Sequence, residues 1–247
     1  MIIESLENEK IKNLVKLQKR KYRNETNTYI VEGMHLVEEA YKANLIREIF
    51  LLEGEINPFK VPYTYITREV MKKVSSMDTP CSIIALCNKQ SSNKIVGSHI
   101  LLLDEIQDPG NLGTIIRSSV AFGIDTIILS ENTVDLYNPK VLRATQGMYC
   151  YLNIIEKNAK VAIKELKDNN YIILGTNVKN GINIKSLDKD NLNKYCLIMG
   201  NEGNGVRKEI QKLCDKNLYI PLNDKVESLN VGIACSILLY ELRSKNE

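Results

Sequence analysis

The stretch LLLDEIQDPGNLGTIIRSSVAFG, residues 101–123, decides how the chain is read. It opens in an apolar run, 100–103, of the length and branching expected of a strand buried on both faces. A polar loop over 104–110 follows, with Pro109 and Gly110 as its turn residues. Asn111 stands where a helix N-cap is expected, and Leu112, Ile115, Ile116 and Val120 recur at helical spacing. Arg117 falls on the second turn of that predicted helix, beside the small Ser118 and Ser119. A strand, a loop carrying an Asn and a helix carrying an Arg make a place for an anionic group. Helix-terminal amides and a guanidinium fork can both meet a phosphate there. Taken alone, the ordinary reading is the stronger one: a surface Arg paired with an acid.

Outward from this stretch, strands and helices alternate. Strands are expected at 125–129, 150–154, 171–175, 195–199 and 217–220, and helices at 139–146, 159–168, 206–214 and 229–242. The pattern requires a mostly parallel sheet covered on both faces, an α/β domain spanning 97–247. Ligands on such sheets bind beyond the carboxyl ends of the strands, where the loops after 172–175 and 197–199 lie. No GxGxxG follows the first strand, which argues against an ordinary dinucleotide-binding domain. The loop Gly200-Asn201-Glu202-Gly203-Asn204-Gly205 instead offers residues suited to tight turns with positive φ. Thr176 and Asn177, just past a strand end, border the same space.

Before it, residues 1–92 read as a smaller α/β domain, with strands at 28–31, 47–52, 63–66 and 82–87 and helices at 9–20, 33–43 and 68–74. The stretch 88–97, NKQSSNKIVG, has the composition of an interdomain linker. The first predicted helix carries an apolar stripe at Ile11, Leu14 and Val15. The chain has 15 Lys/Arg against 12 Asp/Glu in residues 1–96 and 18 against 18 thereafter, so the net charge of +3 arises wholly in the first part. Seven basic residues and no acid lie between Lys10 and Arg23, among them Lys19, Arg20 and Lys21. Such a run suits the phosphates of a nucleic acid or an acidic membrane face, and equally a solvated helix face.

The remaining composition narrows the class. The 247 residues, 44% hydrophobic, are enough for one or two sizeable cores. The six cysteines form no CxxC pair and several lie in apolar runs, as reduced buried thiols do. His35 and His99 have no Cys or acid at ligand spacing, so no metal is expected. No signal peptide heads the chain and no apolar stretch reaches the ~20 residues that span a bilayer. A cytoplasmic protein without a membrane partner is expected.

Two later blocks change the weight given to the first. They are IMGNEGNGVRKEI, residues 198–210, and IPLNDKVESLNVGIACSILLYEL, residues 220–242. Together with 101–123 and in this order, they closely resemble the three motifs of the SpoU (TrmH) family of RNA ribose 2′-O-methyltransferases. The segment YIVEGMHLVEEA, residues 29–40, resembles the start of the L7Ae-like substrate-binding domain attached to many of these enzymes. Many relatives have Pro-Gln-Gly before the last strand of that domain, where this chain has Pro80-Cys81-Ser82.

The resemblance implies a trefoil-knotted catalytic domain in which Gly200, Asn201, Gly203, Ile220, Pro221, Leu222 and Leu229 surround S-adenosyl-L-methionine. It makes Arg117 the central catalytic residue, assisted by Asn111, Glu202, Ser228 and Asn230. A guanidinium stays protonated in proteins, with a pKa above ~12, so a phosphate clamp that also stabilises developing alkoxide charge is an easier role than a base. Glu202 is then either a proton acceptor or a clamp on loop amides. Ser228 and Asn230 are equally the capping residues of the closing helix. Arg143, within NPKVLRATQG, resembles a position facing RNA, and as a sequence it is also an exposed helical Arg. The implied substrate is ribosomal RNA of the 23S type, because of the added domain. A tRNA methyltransferase, or a non-catalytic RNA-binding or ribosome-assembly factor with the same fold, are the alternatives. A homodimer through the C-terminal domain is implied as well, with the Arg of one subunit serving the other's site.

Overall fold

The structure, a computed structural model, describes residues 2–90, 92–189 and 192–243. Its packing divides the chain into two units, Met1–Gln90 with Asp135–Cys150, and Ser91–Val134 with Tyr151–Glu247.

The first unit begins with β1 (Ile2–Ile3), α1 (Glu9–Lys16), α2 (Arg20–Thr26), β2 (Thr28–Glu32) and α3 (Met34–Lys42). It continues through β3 (Ile46–Leu52), β4 (Tyr63–Ile66), α4 (Arg68–Val74) and β5 (Ile83–Asn88). Its mixed sheet has the order β1-β4-β3-β5-β2, with β5 antiparallel to both neighbours. One face packs Ile30, Phe50, Ile66 and Ile84 against Ile11, Leu14, Val70 and Val74 of the helices. The helix expected over 9–20 is broken at Leu17, and Lys19 is extended (φ −103°, ψ 134°) as it leads into α2. The break turns the buried Arg23 inward, where its Nη1 donates to the Leu17 carbonyl at 2.7 Å and its Nε to Asp135 at 3.1 Å. A broken helix leaves carbonyls that need partners, and Arg23 supplies one.

The second unit is built on β6 (His99–Asp104), α5 (Pro109–Ala121) and β7 (Thr126–Leu129). After α6 (Pro139–Thr145) come β8 (Asn153–Glu156), α7 (Ala159–Asp168), β9 (Ile172–Thr176), β10 (Ile182–Asn183) and β11 (Tyr195–Gly200). The short α8 (Lys208–Gln211), β12 (Lys216–Tyr219) and α9 (Val231–Leu242) close the chain. The sheet order is β10-β12-β9-β11-β6-β7-β8, and each neighbouring pair is parallel. Ile100, Leu101, Leu102 and Leu103 are fully buried, as both faces of a covered parallel strand require. Each such side chain contributes about 1.5–3 kcal/mol of burial. From β6 the chain builds outward through β7 and β8, then returns to β9 on the other side of β11. Strand order therefore reverses beside β6 and β11, the place where such sheets open a crevice.

Several elements differ from expectation. The segment Asp135–Cys150, with α6, packs in the first unit although its sequence position lies within 97–247. Asp135 receives Arg23, and the hydroxyls of the buried Tyr149 and Tyr29 lie 2.9 Å apart, so this excursion satisfies buried polar groups of that unit. The strand expected at 150–154 starts at Asn153, after a 3₁₀ turn over Met148–Tyr151. The helix expected over 206–214 shortens to α8. Of the expected linker 88–97, Ser91 lies outside the described residues. Val96 is fixed to β7, since the Thr126 hydroxyl donates to its carbonyl at 2.7 Å. No described helix is long and apolar enough to cross a membrane.

Candidate functional site

The carboxyl ends of β6, β9, β11 and β12 lie at one edge of the parallel sheet, and the loops that leave them make the site. Gly200 ends β11 in a pinch: a Cβ there would stand 2.0 Å from the Gly205 carbonyl carbon and the Val206 nitrogen. Only glycine fits such a close backbone approach. Asn201 closes the loop through Asn201–Gly205 backbone bonds of 3.1 and 2.9 Å, and its Oδ1 accepts from the Gly203 amide at 2.9 Å. Its Nδ2 donates to the Glu105 carbonyl at 2.9 Å, tying the loop to the one after β6.

The helix after β6 starts earlier than its sequence suggests. Asp108 is the N-cap, accepting from the Asn111 amide at 2.8 Å, and Pro109 takes the first helical position. Asn111 is therefore not the cap, and its carboxamide is released for the site. It donates to Glu202 Oε1 at 2.9 Å and accepts from Asn230 Nδ2 at 2.8 Å. Asn230, not Ser228, caps α9, with Oδ1 accepting from the Gly232 and Ile233 amides at 2.9 and 3.3 Å. One relay thus runs from Glu202 through Asn111 to the start of the last helix. Where α5 and α9 cross, a Cβ on Gly232 would lie 3.2 Å from Thr114, and the Ser118 and Ser236 hydroxyls are 2.6 Å apart.

Glu202 also accepts from the Asp108 and Gln107 amides at 3.2 and 3.4 Å. Burial alone would raise its carboxyl, but the Asn111 amide and the backbone N–H groups of Glu202, Asp108 and Gln107 outweigh that and hold it below the ordinary carboxylate value. A carboxylate held in this way is a poor proton acceptor and a good clamp.

These loops enclose a cavity of about 510 Å³. Thr176, Asn177, Gly200, Asn201, Glu202, Gly203, Ile220, Leu222, Ser228, Leu229 and Asn230 line it, as the sequence led us to expect of site residues, and Pro221 does not. Asn111 stands behind the lining. Arg117, starting the third helical turn, is exposed, does not line the cavity and pairs with no described acid. Met199, Leu218, Tyr219 and Leu238 are among the other residues of the wall. Their apolar pattern read only as core. Among the lining residues Glu202 is the sole ionised side chain, with no Lys or Arg. Two residues of consequence carried no signal of a site: Asp104, fully buried, and Arg207, whose Nε and Nη2 donate to Asp104 at 2.9 and 2.6 Å.

In the first unit Lys19, Arg20 and Lys21 are exposed, whereas Arg23 is buried. Lys10 pairs with Glu48 and Lys12 with Glu7, both at 2.8 Å, so the seven-residue basic run is less free than its sequence implies. Arg143 is half-buried and donates to the Ser76 hydroxyl at 2.8 Å. Ser76 in turn donates through its amide to the buried Glu32 at 3.0 Å.

Fold and cavity define an α/β protein that receives a nucleoside-sized ligand beyond the carboxyl edge of a parallel sheet. The chain belongs to the SpoU rRNA methylase family, whose profile matches residues 98–240, and the profile of the MRM3-like substrate binding domain matches residues 8–85. It is 36% identical over 246 residues to the 23S rRNA (guanosine(2553)-2'-O)-methyltransferase RlmP of Bacillus subtilis (strain 168), covering 98% of each chain. Its fold is similar to that of the AdoMet-bound rRNA methyltransferase from Sinorhizobium meliloti, with TM-score 0.87, 25% identity and coverage of 98% of this chain and 97% of that one. It is also similar to an RNA 2'-O ribose methyltransferase structure, with TM-score 0.83, 26% identity and 98% of both chains covered.

The family's cofactor is S-adenosylmethionine, and the residues present fit it. The cavity lies within the range of about 300–1,000 Å³ typical of small-molecule sites. Its apolar walls suit a purine, and its backbone amides and carbonyls suit the polar edges. A wall with one carboxylate and no cation suits a sulfonium. Among the described residues no group of three or more His, Cys, Asp or Glu is placed to hold a metal ion.

Proposed function

We propose that this protein methylates a ribose 2′-hydroxyl of ribosomal RNA, of the 23S type, using S-adenosylmethionine held in the cavity at the ends of β9, β11 and β12. The observation that carries the reading is the charge of that cavity: Glu202 is its only ionised side chain, and it is held deprotonated. When bound, the cofactor supplies an electrophilic methyl group on a positively charged sulfur. The chain's residues do the rest. The pinched loop 200–206 and the Ile220 and Leu222 wall hold the ligand, and the Asn111–Glu202–Asn230 relay fixes the loop after β6 against the start of α9. Ser228 and Asn230 line the cavity, and we assign them to orienting the ribose hydroxyl. Arg117 clamps an RNA phosphate and stabilises negative charge developing on the 2′-oxygen as its proton leaves.

Because Arg117 lies outside the cavity of its own subunit, we assign it to the site of a second copy in a homodimer through the C-terminal domain. The exposed Ile233 and Tyr240 on α9 supply an apolar face for that contact. Residues 1–92, with Lys19, Arg20, Lys21 and Arg143, would present the RNA. A tritiated-methyl assay on total rRNA and tRNA from cells lacking the gene, followed by mapping, tests the reading. Label on a ribose 2′-oxygen of rRNA is expected. Label on tRNA changes the substrate, and RNA binding without label returns the protein to an assembly factor. Sedimentation at micromolar concentration should give a dimer.

A further inference from the structure

Arg207 follows the cavity loop directly, and Asp104 ends β6, whose following loop leads into α5 and its Asn111. Asp104 is wholly buried, and its carboxylate is matched by one residue. Oδ1 accepts from Arg207 Nε and Nη2 at 2.9 and 2.6 Å, and Oδ2 accepts from the Arg207 amide at 3.0 Å. Arg207 is itself drawn into a ring of acids, with Nη1 at 3.3 Å from Glu105 and Nη2 at 3.7 Å from Glu131. A Lys could not reproduce this grip, since two of the three bonds use the rigid guanidinium fork. The anchor stands at the base of loop 200–206. The bonds of Glu202 to Asn111 and of Asn201 to Glu105 tether the same loop further along. A charge pair with a buried Asp104 and a half-buried Arg207 is weak evidence for net stability, because desolvation of the carboxylate offsets much of the attraction. It is a strong constraint on geometry.

We infer that Arg207 and Asp104 are a positioning pair, which fixes the cofactor loop after β11 to the end of β6 and so sets cofactor affinity without touching the reacting atoms. Loop 200–206 is thereby ordered before the cofactor arrives. Loosening it makes cofactor binding bear the ordering cost, while the chemistry at saturating cofactor is spared. The inference rests on the reading of the cavity as the S-adenosylmethionine site.

The test uses the full-length protein and two variants, Arg207→Lys and the double variant Asp104→Asn with Arg207→Gln, which leaves no buried charge unpaired. Calorimetry gives the Kd for S-adenosylmethionine, hydrogen exchange reports the amides of 200–206, and steady-state kinetics separate KM from kcat. The double variant should bind cofactor about tenfold more weakly, with faster exchange at 200–206 and kcat at saturating cofactor within about threefold of the parent. Arg207→Lys should fall between. An unchanged Kd in a folded double variant overturns the inference, as does a fall in kcat with KM unmoved. If the double variant does not fold, Arg207→Lys decides: a raised Kd at an unchanged melting temperature supports the pair, and an unchanged Kd refutes it. Failure of the parent protein to bind the cofactor would instead overturn the reading of the cavity.

Discussion

The two units treat positive charge in opposite ways. The segment from Lys10 to Arg23 concentrates cations, and Lys19, Arg20 and Lys21 remain at its surface. The cavity of the second unit excludes them, with one carboxylate and no Lys or Arg among its lining residues. A polyanion and a sulfonium make opposite demands, and one charge pattern could not serve both. On the reading proposed above, the difference makes affinity for RNA and affinity for the cofactor separable properties, built on different sheets. The mixed sheet of the first unit runs β1, β4, β3 and β2 one way and β5 the other. The sheet of the second is parallel throughout, and the cavity lies at the carboxyl edge of its strands.

The sharpest break is expected at Arg117. Arg117→Ala should lower kcat by about 10²–10³, or about 2.7–4 kcal/mol, the scale of one lost charge-stabilising donor. Cofactor Kd should move little, because the role proposed for Arg117 is on the RNA phosphate and the 2′-oxygen and not on the cofactor. A matching loss of cofactor binding would give Arg117 a part in holding the cofactor and undo the separation. Next in size is Gly200→Ala. Its Cβ would meet the Gly205 and Val206 backbone at 2.0 Å, and overpacking of this kind costs about 1–3 kcal/mol. Calorimetry should show cofactor Kd raised about tenfold, with RNA binding by the first unit intact.

How much of this was legible in the sequence follows from the physics of each part. Strand β6 was readable because a strand buried on both faces leaves an uninterrupted apolar run. So was β11, for the same reason. The glycines of 200–205 were readable as a tight loop. The N-cap of α5 was misplaced because Asp108 and Asn111 are both good caps, and Pro109 in the first helical turn decides between them only once the backbone is seen. Arg23 looked like one cation among seven, and nothing local shows that it is buried against Asp135, 112 positions away. Asp104 and Arg207 were invisible for the same reason, since a pairing across 103 positions has no periodicity. The fit of the excursion 135–150 into the first unit likewise depends on Tyr29 meeting Tyr149, which no window of sequence contains.

A smaller effect probes the charge of the cavity itself. Glu202→Gln keeps shape and removes the only ionised group of the lining. S-adenosylmethionine should bind about two- to fivefold more weakly, a modest change because Glu202 is solvent-exposed and its field is screened. S-adenosylhomocysteine, which lacks the sulfonium charge, should be affected less. Equal losses for both ligands would leave Glu202 a clamp only. The pH dependence has a definite sign. Glu202 is held below the ordinary carboxylate value, so its contribution to the loop is complete above the unfolded pKa of ~4.3 and is lost as pH falls through the lowered folded value. Cofactor affinity should therefore be flat across neutral pH. A limb near pH 7 that vanishes in Glu202→Gln would restore the carboxylate as a proton acceptor.

The smallest effect at moderate salt, and the one that tests the other half of the comparison, is the triple change Lys19, Arg20 and Lys21 to Ala. These side chains are exposed, Arg20 and Lys21 already have interactions within the protein, and that of Lys21 with Glu25 is loose at 3.9 Å, so folding should be little disturbed. Phosphate contacts release counterions, and each lost contact should reduce the slope of log K against log salt by about 0.9 for duplex and about 0.7 for single-stranded nucleic acid. The structure argues for less than three full contacts, since Lys21 is shared with Glu25. A slope change of about 1–2 is the expected outcome, measured by filter binding of an rRNA fragment from 50 to 200 mM salt. Cofactor Kd and kcat at saturating RNA should stay at parent values. An unchanged slope would mean that the basic run is only a solvated face. In that event Arg143 and the Ser76–Glu32 network beside it become the place to look for RNA on this unit.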